Sequence, residues 1–233
     1  MPHAVPAEAD DVARRLIAAP GVQRFPDRAL DLFIARDFLD PARCARLCRM
    51  IDARRRPSEI ADHKGGPDFR TSETCDLDMT DPLVVEVDRL LCDFLGLSQA
   101  RSEAIQGQRY APGQEFQPHT DSFNPGGVDF YVHCAEQGQR TWTAMLYLNQ
   151  PEEGGATRFK TIGKTIQPET GKLVAWNNLL PDGSPNSATL HQGMKVRRGT
   201  KYIITKWFRE FESVWCRHAP NQRGLRGPLG LPA

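Results

Sequence analysis

The sequence has almost no net charge. Its 30 Lys and Arg residues balance 29 Asp and Glu residues, so the formal charge is only +1. A chain without an excess of basic residues generates no bulk field that attracts nucleic acid or an anionic membrane surface. We therefore expect neither nucleic acid nor a membrane as a partner, and the composition leaves the oligomeric state open.

Long apolar runs are also missing. No stretch approaches the roughly 18 apolar residues that suggest a membrane-spanning helix. The opening residues, MPHAVPAEADDVARRLIAAP, have neither the basic n-region nor the apolar h-region of a secretory signal. These absences predict a soluble protein in the cytoplasm.

The cysteines lack the spacing of a zinc site or a disulfide framework. None forms a Cys-x-x-Cys pair, and a cytoplasmic chain keeps its thiols reduced. Cys44 and Cys48 share a helical face with Leu47 and Ile51, which favours small core residues. The six cysteines are Cys44, Cys48, Cys75, Cys92, Cys134 and Cys216.

Two kinds of periodicity divide the chain. Residues 40–56 and 81–96 each begin with Asp-Pro and repeat apolar residues at helical spacing, which predicts two amphipathic helices. Strand-like runs follow at 141–149, 172–176 and 201–208, separated by Gly, Pro and Asn turns. The pattern predicts one domain that is mainly β with supporting helices (α+β), and an antiparallel sandwich or jelly roll suits it best.

A His-x-Asp pair lies in the stretch QPHTDSF. Residues two apart in a strand point to the same face, so His119 and Asp121 can approach one ion, although a hydrogen-bonded pair at a strand end fits equally well. A third ligand strengthens the metal interpretation, and His191, before a strong strand, can supply it. Two imidazoles and one carboxylate are typical of a non-haem Fe(II) site, and zinc accepts the same ligands. The other histidines fall in tails or polar loops: His3, His63, His133 and His218.

Lys201 opens the strand KYIITKWF. Period-2 alternation places Lys201, Thr205 and Trp207 on one face. A lysine that faces the interior of a barrel is costly unless an anion meets it, and a bound carboxylate would do so. The alternative is an exposed lysine at a strand end.

From about Gln106 to Glu210 the chain resembles the prolyl 4-hydroxylase type of Fe(II)- and 2-oxoglutarate-dependent dioxygenase. The resemblance lies in the blocks RYAPGQEFQPHTD, QRTWTAMLYLNQPEEGGATRF, GKLVAWNN and HQGMKVRRGTKYIITKWFRE. It implies a double-stranded β-helix (jelly roll) core with N-terminal helices packed on it. It also suggests an N-terminal extension (1–28), one dioxygenase domain (29–216, catalytic core about 104–211) and a Gly/Pro-rich C-terminal tail (217–233).

The resemblance also implies roles for individual residues. The metal ligands it implies are His119, Asp121 and His191. The implied 2-oxoglutarate-binding residues are Lys201, Tyr110 and, as a pocket wall, Thr205. The implied substrate contacts are Arg140 and Trp207, although Trp207 also suits the core and Arg140 also suits a solvated loop. One departure concerns Arg209, which stands where the family often has histidine.

The activity implied is hydroxylation of an unactivated C–H bond, most specifically of a prolyl residue in a protein or peptide. Fe(II), 2-oxoglutarate and O2 are the expected cofactor and co-substrates, with ascorbate as a candidate reductant, and succinate and CO2 are released. Two alternatives stay open: hydroxylation of a small molecule or of a non-proline residue, and a non-enzymatic metal-binding jelly-roll protein.

Two further expectations concern the surroundings of the iron. Residues 122–139, which begin next to a proposed ligand and contain several glycines, are predicted to form a mobile lid, with a hairpin that turns at NPGG as the alternative. A dry wall beside the metal is expected from strand residues that ordinary core packing explains equally well: Leu146, Leu148, Val174 and Trp176.

Overall fold

The structure, a computed structural model, describes residues 8–58 and 68–213, with the side chains of residues 8–10 excluded. The predicted tail at 217–233, together with His3, His63, His218 and Cys216, lies outside the described residues. Four α-helices are present in the described ranges: α1 Glu8–Ala18, α2 Pro41–Arg54, α3 Pro82–Leu95 and α4 Val128–His133. Two 3-10 turns are Gln99–Arg101 and Ser187–Thr189.

Fourteen strands make up the rest of the regular structure in the described ranges. They are β1 Val22–Arg24, β2 Leu32–Ala35, β3 Arg56–Pro57, β4 Glu73–Asp76, β5 Gln106–Tyr110, β6 Phe116–His119, β7 Arg140–Tyr147, β8 Glu153–Gly154, β9 Thr157–Phe159, β10 Lys164–Ile166, β11 Leu173–Asn177, β12 His191–Gly193, β13 Val196–Arg198 and β14 Lys201–Arg209.

The two predicted helices are confirmed, and their ends follow from local chemistry. The Asp40 side chain accepts hydrogen bonds from the backbone amides of Ala42 and Arg43, so it caps α2, and Asp81 caps α3 through Leu83. Proline occupies the first turn of both helices, where its missing N–H costs nothing. Gly96 ends α3 in the left-handed region at φ 71°, a conformation that glycine adopts readily.

The strands form a jelly roll of antiparallel sheets, as the sequence predicted. The larger sheet has the order β1-β2-β11-β7-β14-β5-β4-β3 and the smaller one has the order β10-β9-β12-β6. A short pair, β13-β8, lies beside them. Non-consecutive strands lie next to each other in both sheets, so the chain crosses repeatedly between them.

Period-2 alternation gives the larger sheet two different faces. Ala144 and Leu146 of β7 join the helices in one buried cluster, whereas Met145 and Tyr147 join a second cluster that also contains Phe159 of the smaller sheet. The first cluster lies between the sheet and the helices, and the second lies between the two sheets. The functional site occupies this second space.

Part of the predicted N-terminal extension packs on the domain. Val12 and Leu16 of α1 are buried in the cluster that joins the helices to the sheet, and β1 pairs with β2. Among the described residues, no helix is both long and apolar enough to cross a membrane.

Candidate active site

Three side chains that the sequence predicted as metal ligands converge at one end of the smaller sheet. His119 ends β6 and His191 opens β12, and the pairing of these strands sets the two residues opposite each other, with ring centroids 4.3 Å apart. Asp121 lies two residues past His119. The possible ligand atoms of the three residues all lie within 4.8 Å of one another, so one ion can contact all three.

Backbone carbonyls fix the orientation of both imidazoles. Nδ1 of His119 lies 2.8 Å from the carbonyl oxygen of Gln117, and Nδ1 of His191 lies 2.9 Å from that of Thr189. A carbonyl only accepts hydrogen bonds, so each Nδ1 carries the proton and each Nε2 keeps a free lone pair for a metal. Nε2 of His119 lies 3.9 Å from Asp121 Oδ1, close enough for both atoms to bind the same ion.

The electrostatics favour the protonation states that a metal requires. Burial, reinforced by the neighbouring His191, lowers the pKa of His119 to about 3, so its ring is neutral at physiological pH. Burial opposes ionisation of Asp121, but its neighbours, among them the Arg140 guanidinium and the Thr143 hydroxyl that donates to it, outweigh burial, and the pKa of this carboxyl lies below its usual value. The site therefore offers a neutral His119 imidazole and an ionised Asp121 carboxylate, which are the protonation states that Fe(II) binding demands of these two ligands.

A cavity of about 1170 Å³ opens over the three ligands, and Lys201 lies in its wall. Only 1% of Lys201 is exposed, and burial lowers its pKa to about 7. Within residues 8–58 and 68–213, Nζ makes no ion pair or hydrogen bond, and its nearest ring contacts are Tyr110 at 4.9 Å and Tyr147 at 5.4 Å. An unpaired buried ammonium beside a metal site fits a carboxylate of a bound molecule.

The cavity wall also contains the two residues predicted to help Lys201. The Tyr110 hydroxyl donates to Gln108 Oε1 at 2.7 Å, and Gln108 Nε2 donates to Thr205 Oγ1 at 3.4 Å. Lys201, Thr205 and Trp207 all line the cavity, which confirms the predicted alternation along β14. The binding roles of Tyr110, Lys201 and Thr205 stay predictions.

Arg140 and Trp207 stack on each other in the cavity wall and form a surface that we call the shelf. The Arg140 guanidinium lies 4.0 Å from the centre of the Trp207 ring and donates to both oxygens of Glu103 at 2.7 Å. These contacts fix Arg140 in the cavity wall, so it is not a solvated loop residue. Arg209 donates to the same Glu103 at 3.0 Å, but it does not line the cavity.

Residues 122–139 contain the short helix α4, so the hairpin alternative is wrong. The Gln139 side chain bonds both the amide and the carbonyl of Phe123 at 2.8 Å, which ties the two ends of the segment together. Between these ends the helix buries none of its residues, and Val128 and Tyr131 are 78% and 71% exposed. The segment borders the cavity, and its mobility stays a prediction.

Of the four residues predicted for a dry wall, one lines the cavity, and the other three follow the alternative of ordinary core packing. Val174 and Trp176 face the space between the sheets, and Trp176 lines the cavity. Leu146 and Leu148 face the helices instead, because the inward residues of β7 are Met145 and its alternating neighbours.

Several residues at the site were not predicted from the sequence. Thr143 donates to Asp121 Oδ2 at 2.7 Å, Glu103 holds Arg140, and Arg70 lines the cavity. Alternation along β7 could have placed Thr143 beside Met145 on the inward face. Glu103 has no comparable signal, because it precedes β5 in an irregular stretch.

A jelly roll whose cavity is lined by two histidines, one carboxylate and a buried lysine fits the class of 2-oxoglutarate- and Fe(II)-dependent oxygenases. The donor set fits Fe(II) because it leaves coordination positions open on the cavity side. Residues 105–209 match the family model of the 2OG-Fe(II) oxygenase superfamily.

Proteins named prolyl 4-hydroxylases are similar to this chain in sequence. Prolyl 4-hydroxylase subunit alpha-2 of Caenorhabditis elegans is 34% identical over 130 residues, which are 56% of this chain and 24% of that protein. Prolyl 4-hydroxylase 1 of Arabidopsis thaliana is 28% identical over 199 residues, 77% of this chain and 69% of that protein. The chain thus spans about a quarter of the length of the nematode subunit.

A solved structure agrees with these relatives. The viral collagen prolyl hydroxylase of Paramecium Bursaria Chlorella virus-1, in a 2-oxoglutarate complex, superposes with a TM-score of 0.61 at 26% identity, over 76% of this chain and 95% of that one. Family model, relatives, solved structure and site agree in their similarity to 2OG-Fe(II) oxygenases of the prolyl 4-hydroxylase type.

Proposed function

We propose that this protein hydroxylates a prolyl residue of a protein or peptide, with 2-oxoglutarate and O2 as co-substrates. The observation that carries the proposal is the pairing, in one cavity, of the three convergent ligands with the unpaired buried Lys201. The similarity to enzymes named prolyl 4-hydroxylases supports the choice of proline.

His119, Asp121 and His191 would hold Fe(II), and Lys201 would bind the carboxylate of 2-oxoglutarate farthest from the metal. Bound iron, with 2-oxoglutarate and O2, supplies the oxidising power that converts 2-oxoglutarate to succinate and CO2 and inserts oxygen into a C–H bond. The protein has two tasks here. It must hold the co-substrate in one orientation, and it must hold the target C–H bond close to the metal.

Apolar side chains in the cavity wall would help to exclude water. Met145, Trp176 and Ile203 line the cavity and belong to the buried cluster between the sheets. Exclusion of water protects a reactive centre from side reactions and strengthens the pairing of Lys201 with a carboxylate.

The shelf of Arg140 and Trp207 would bind the substrate. An indole face suits the flat, apolar ring of proline. Arg140 is stacked on that indole, donates twice to Glu103 and donates once to the carbonyl of Asp121 at 3.4 Å. Its two remaining N–H groups are therefore fixed in place to donate to a backbone carbonyl of a peptide. Arg209 donates a hydrogen bond to Glu103, which in turn holds Arg140 of the shelf. The departure from histidine at this position therefore changes a residue that supports the shelf and not one that lines the cavity.

An untargeted search for oxygenated peptides tests the proposal. Cell extract would be incubated with Fe(II), 2-oxoglutarate and either the wild-type protein or the His191→Ala variant, and then analysed by peptide mass spectrometry. We expect hydroxyproline to appear with the wild type only. Oxygenation of another residue, or of a small molecule only, would favour the alternative hydroxylase. Absence of 2-oxoglutarate turnover would favour a non-enzymatic metal-binding protein.

Three features belong to the proposal as predictions. They are a protein or peptide as the substrate, ascorbate as the reductant and a cytoplasmic location.

A further inference from the structure

The two oxygens of the Asp121 carboxylate have different surroundings. Oδ1 faces His119 Nε2 at 3.9 Å, on the side where the three ligands converge. Oδ2 accepts a hydrogen bond from Thr143 Oγ1 at 2.7 Å. Among the described residues, only Oδ1 is therefore free of a protein donor.

A second hydrogen bond fixes the direction of the first. Asn178 Nδ2 lies 2.8 Å from Thr143 Oγ1, and an amide NH2 group only donates. The Thr143 hydroxyl must accept from Asn178, so its single proton is committed to Asp121. The reverse direction is excluded because an ionised carboxylate has no proton to give.

The two hydrogen bonds from Asn178 to Thr143 and from Thr143 to Asp121, which we call the relay, are anchored in the larger sheet. Thr143 lies on β7, between Trp176 of β11 and Trp207 of β14, and is fully buried. The backbone of Asn178 donates to Thr141 at 2.7 Å and accepts from Asn186 at 2.8 Å. In the part of the chain that the structure describes, the buried Asn178 Oδ1 has no hydrogen-bond partner. This amide therefore has one side-chain hydrogen bond, the one to Thr143.

We propose that Thr143 and Asn178 are positioning residues that force Asp121 to bind the metal through Oδ1 alone. A carboxylate that is free to turn can bind through both oxygens and occupy one more coordination position. With Oδ2 held by Thr143, that position stays open for 2-oxoglutarate or O2. The inference rests on the metal centre of the proposed function and not on the identity of the substrate.

Titration with Co(II), followed by its visible absorption, tests the relay without any catalytic turnover. Thr143→Val keeps the shape of the side chain and removes the hydroxyl, so we expect Co(II) affinity to fall about 10–100-fold, the usual effect of losing a partner of a metal ligand. The absorption bands should also change, because Oδ2 is released to the metal. Thr143→Ser should restore both properties, since it restores the hydroxyl.

Thr141→Val is the matched control. It removes a hydroxyl from the same strand, one that donates to the carbonyl of Phe208 at 3.3 Å. We expect wild-type Co(II) affinity and an unchanged spectrum. A loss equal to that of Thr143→Val would show that any change on this strand weakens the site, and would overturn the specific role of Thr143.

Asn178→Ala tests the second step and keeps the inference falsifiable if Thr143→Val does not fold. Because Asn178 acts through Thr143, its loss should weaken Co(II) binding less than Thr143→Val does. The double variant should be no weaker than Thr143→Val alone. Additive effects, or wild-type affinity and spectrum in both single variants, would refute the relay. A wild-type protein that binds no Co(II) would refute the metal centre itself, and the relay with it.

Discussion

Replacement of Lys201 by methionine should weaken 2-oxoglutarate binding about ten- to a hundredfold, because a charge-assisted hydrogen bond contributes about 1.5–3 kcal/mol. Lys201 is 1% exposed and has no anionic partner among the described residues, so the loss of its charge removes an attraction that no neighbour replaces. Metal binding should change little, because Lys201 is not one of the three convergent ligands.

The same lysine predicts an unusual pH dependence. Burial lowers its pKa from 10.5 to about 7 in the ligand-free protein, whereas a bound carboxylate favours the ammonium form. Above pH 7, where part of the protein has a neutral Lys201, binding of 2-oxoglutarate must therefore add a proton to this lysine. With a pKa of about 7, the apparent Kd should be nearly constant up to neutrality and about thirtyfold higher at pH 8.5.

The sign for folding follows from the same shift. A lysine whose pKa is lower in the folded state destabilises that state at every pH at which the lysine of the unfolded chain is protonated. The penalty is complete below pH 7 and is relieved as the pH rises from about 7 towards 10.5. The ligand-free protein should accordingly gain stability over this range from Lys201, while 2-oxoglutarate binding weakens.

Isothermal titration calorimetry of 2-oxoglutarate into the Co(II)-loaded protein, from pH 6 to pH 8.5, measures the affinity and its dependence on pH. Buffers with different ionisation enthalpies count the protons taken up. Lys201→Arg is the control, because a guanidinium stays charged throughout and should give a flat profile. A flat profile for the wild type, or an equal slope for Lys201→Met, would refute the assignment of the co-substrate site.

The remaining predictions concern the metal, the shelf, the core and the lid. His191→Ala should lose bound metal and 2-oxoglutarate turnover, measured by elemental mass spectrometry and succinate release; full turnover would exclude His191 as a ligand. Arg140→Lys cannot keep both bonds to Glu103 and should raise the KM for a peptide about tenfold, with succinate formed in excess over product. Asp88→Asn leaves the buried Lys206 ammonium without its counter-ion at 2.6 Å and should cost about 3–5 kcal/mol in urea unfolding; an unchanged midpoint would contradict this. Amides of residues 122–139 should exchange rapidly with deuterium and slow when peptide binds, whereas strong protection in both states would show a fixed helix.

Local sequence patterns predicted the elements that neighbouring residues in the chain determine. Asp-Pro starts and apolar spacing were enough for α2 and α3, and period-2 alternation placed Lys201 and Trp207 on one face of β14. The metal ligands needed more than geometry, because His191 was selected partly by its place before a strong strand and partly by family resemblance.

Features that depend on tertiary packing escaped prediction. Alternation divides β7 into two faces, but it does not say which face meets the second sheet, so it left open whether Leu146 lines the cavity or packs in the core. Glu103 and Asn178 act through partners distant in sequence, Arg140 and Thr143, and neither has a local signal. α4 is only six residues long, too short for its periodicity to stand out.

The central claim is that the cavity couples oxidation of 2-oxoglutarate to hydroxylation of proline. The direct measurement is an incubation of the Fe(II)-loaded protein with 2-oxoglutarate, a proline-containing peptide and isotopically labelled dioxygen, followed by mass spectrometry of both products. The account predicts one labelled oxygen atom in succinate and one in hydroxyproline, in equal amounts. Labelled succinate with an unmodified proline, whatever the peptide supplied, would contradict it.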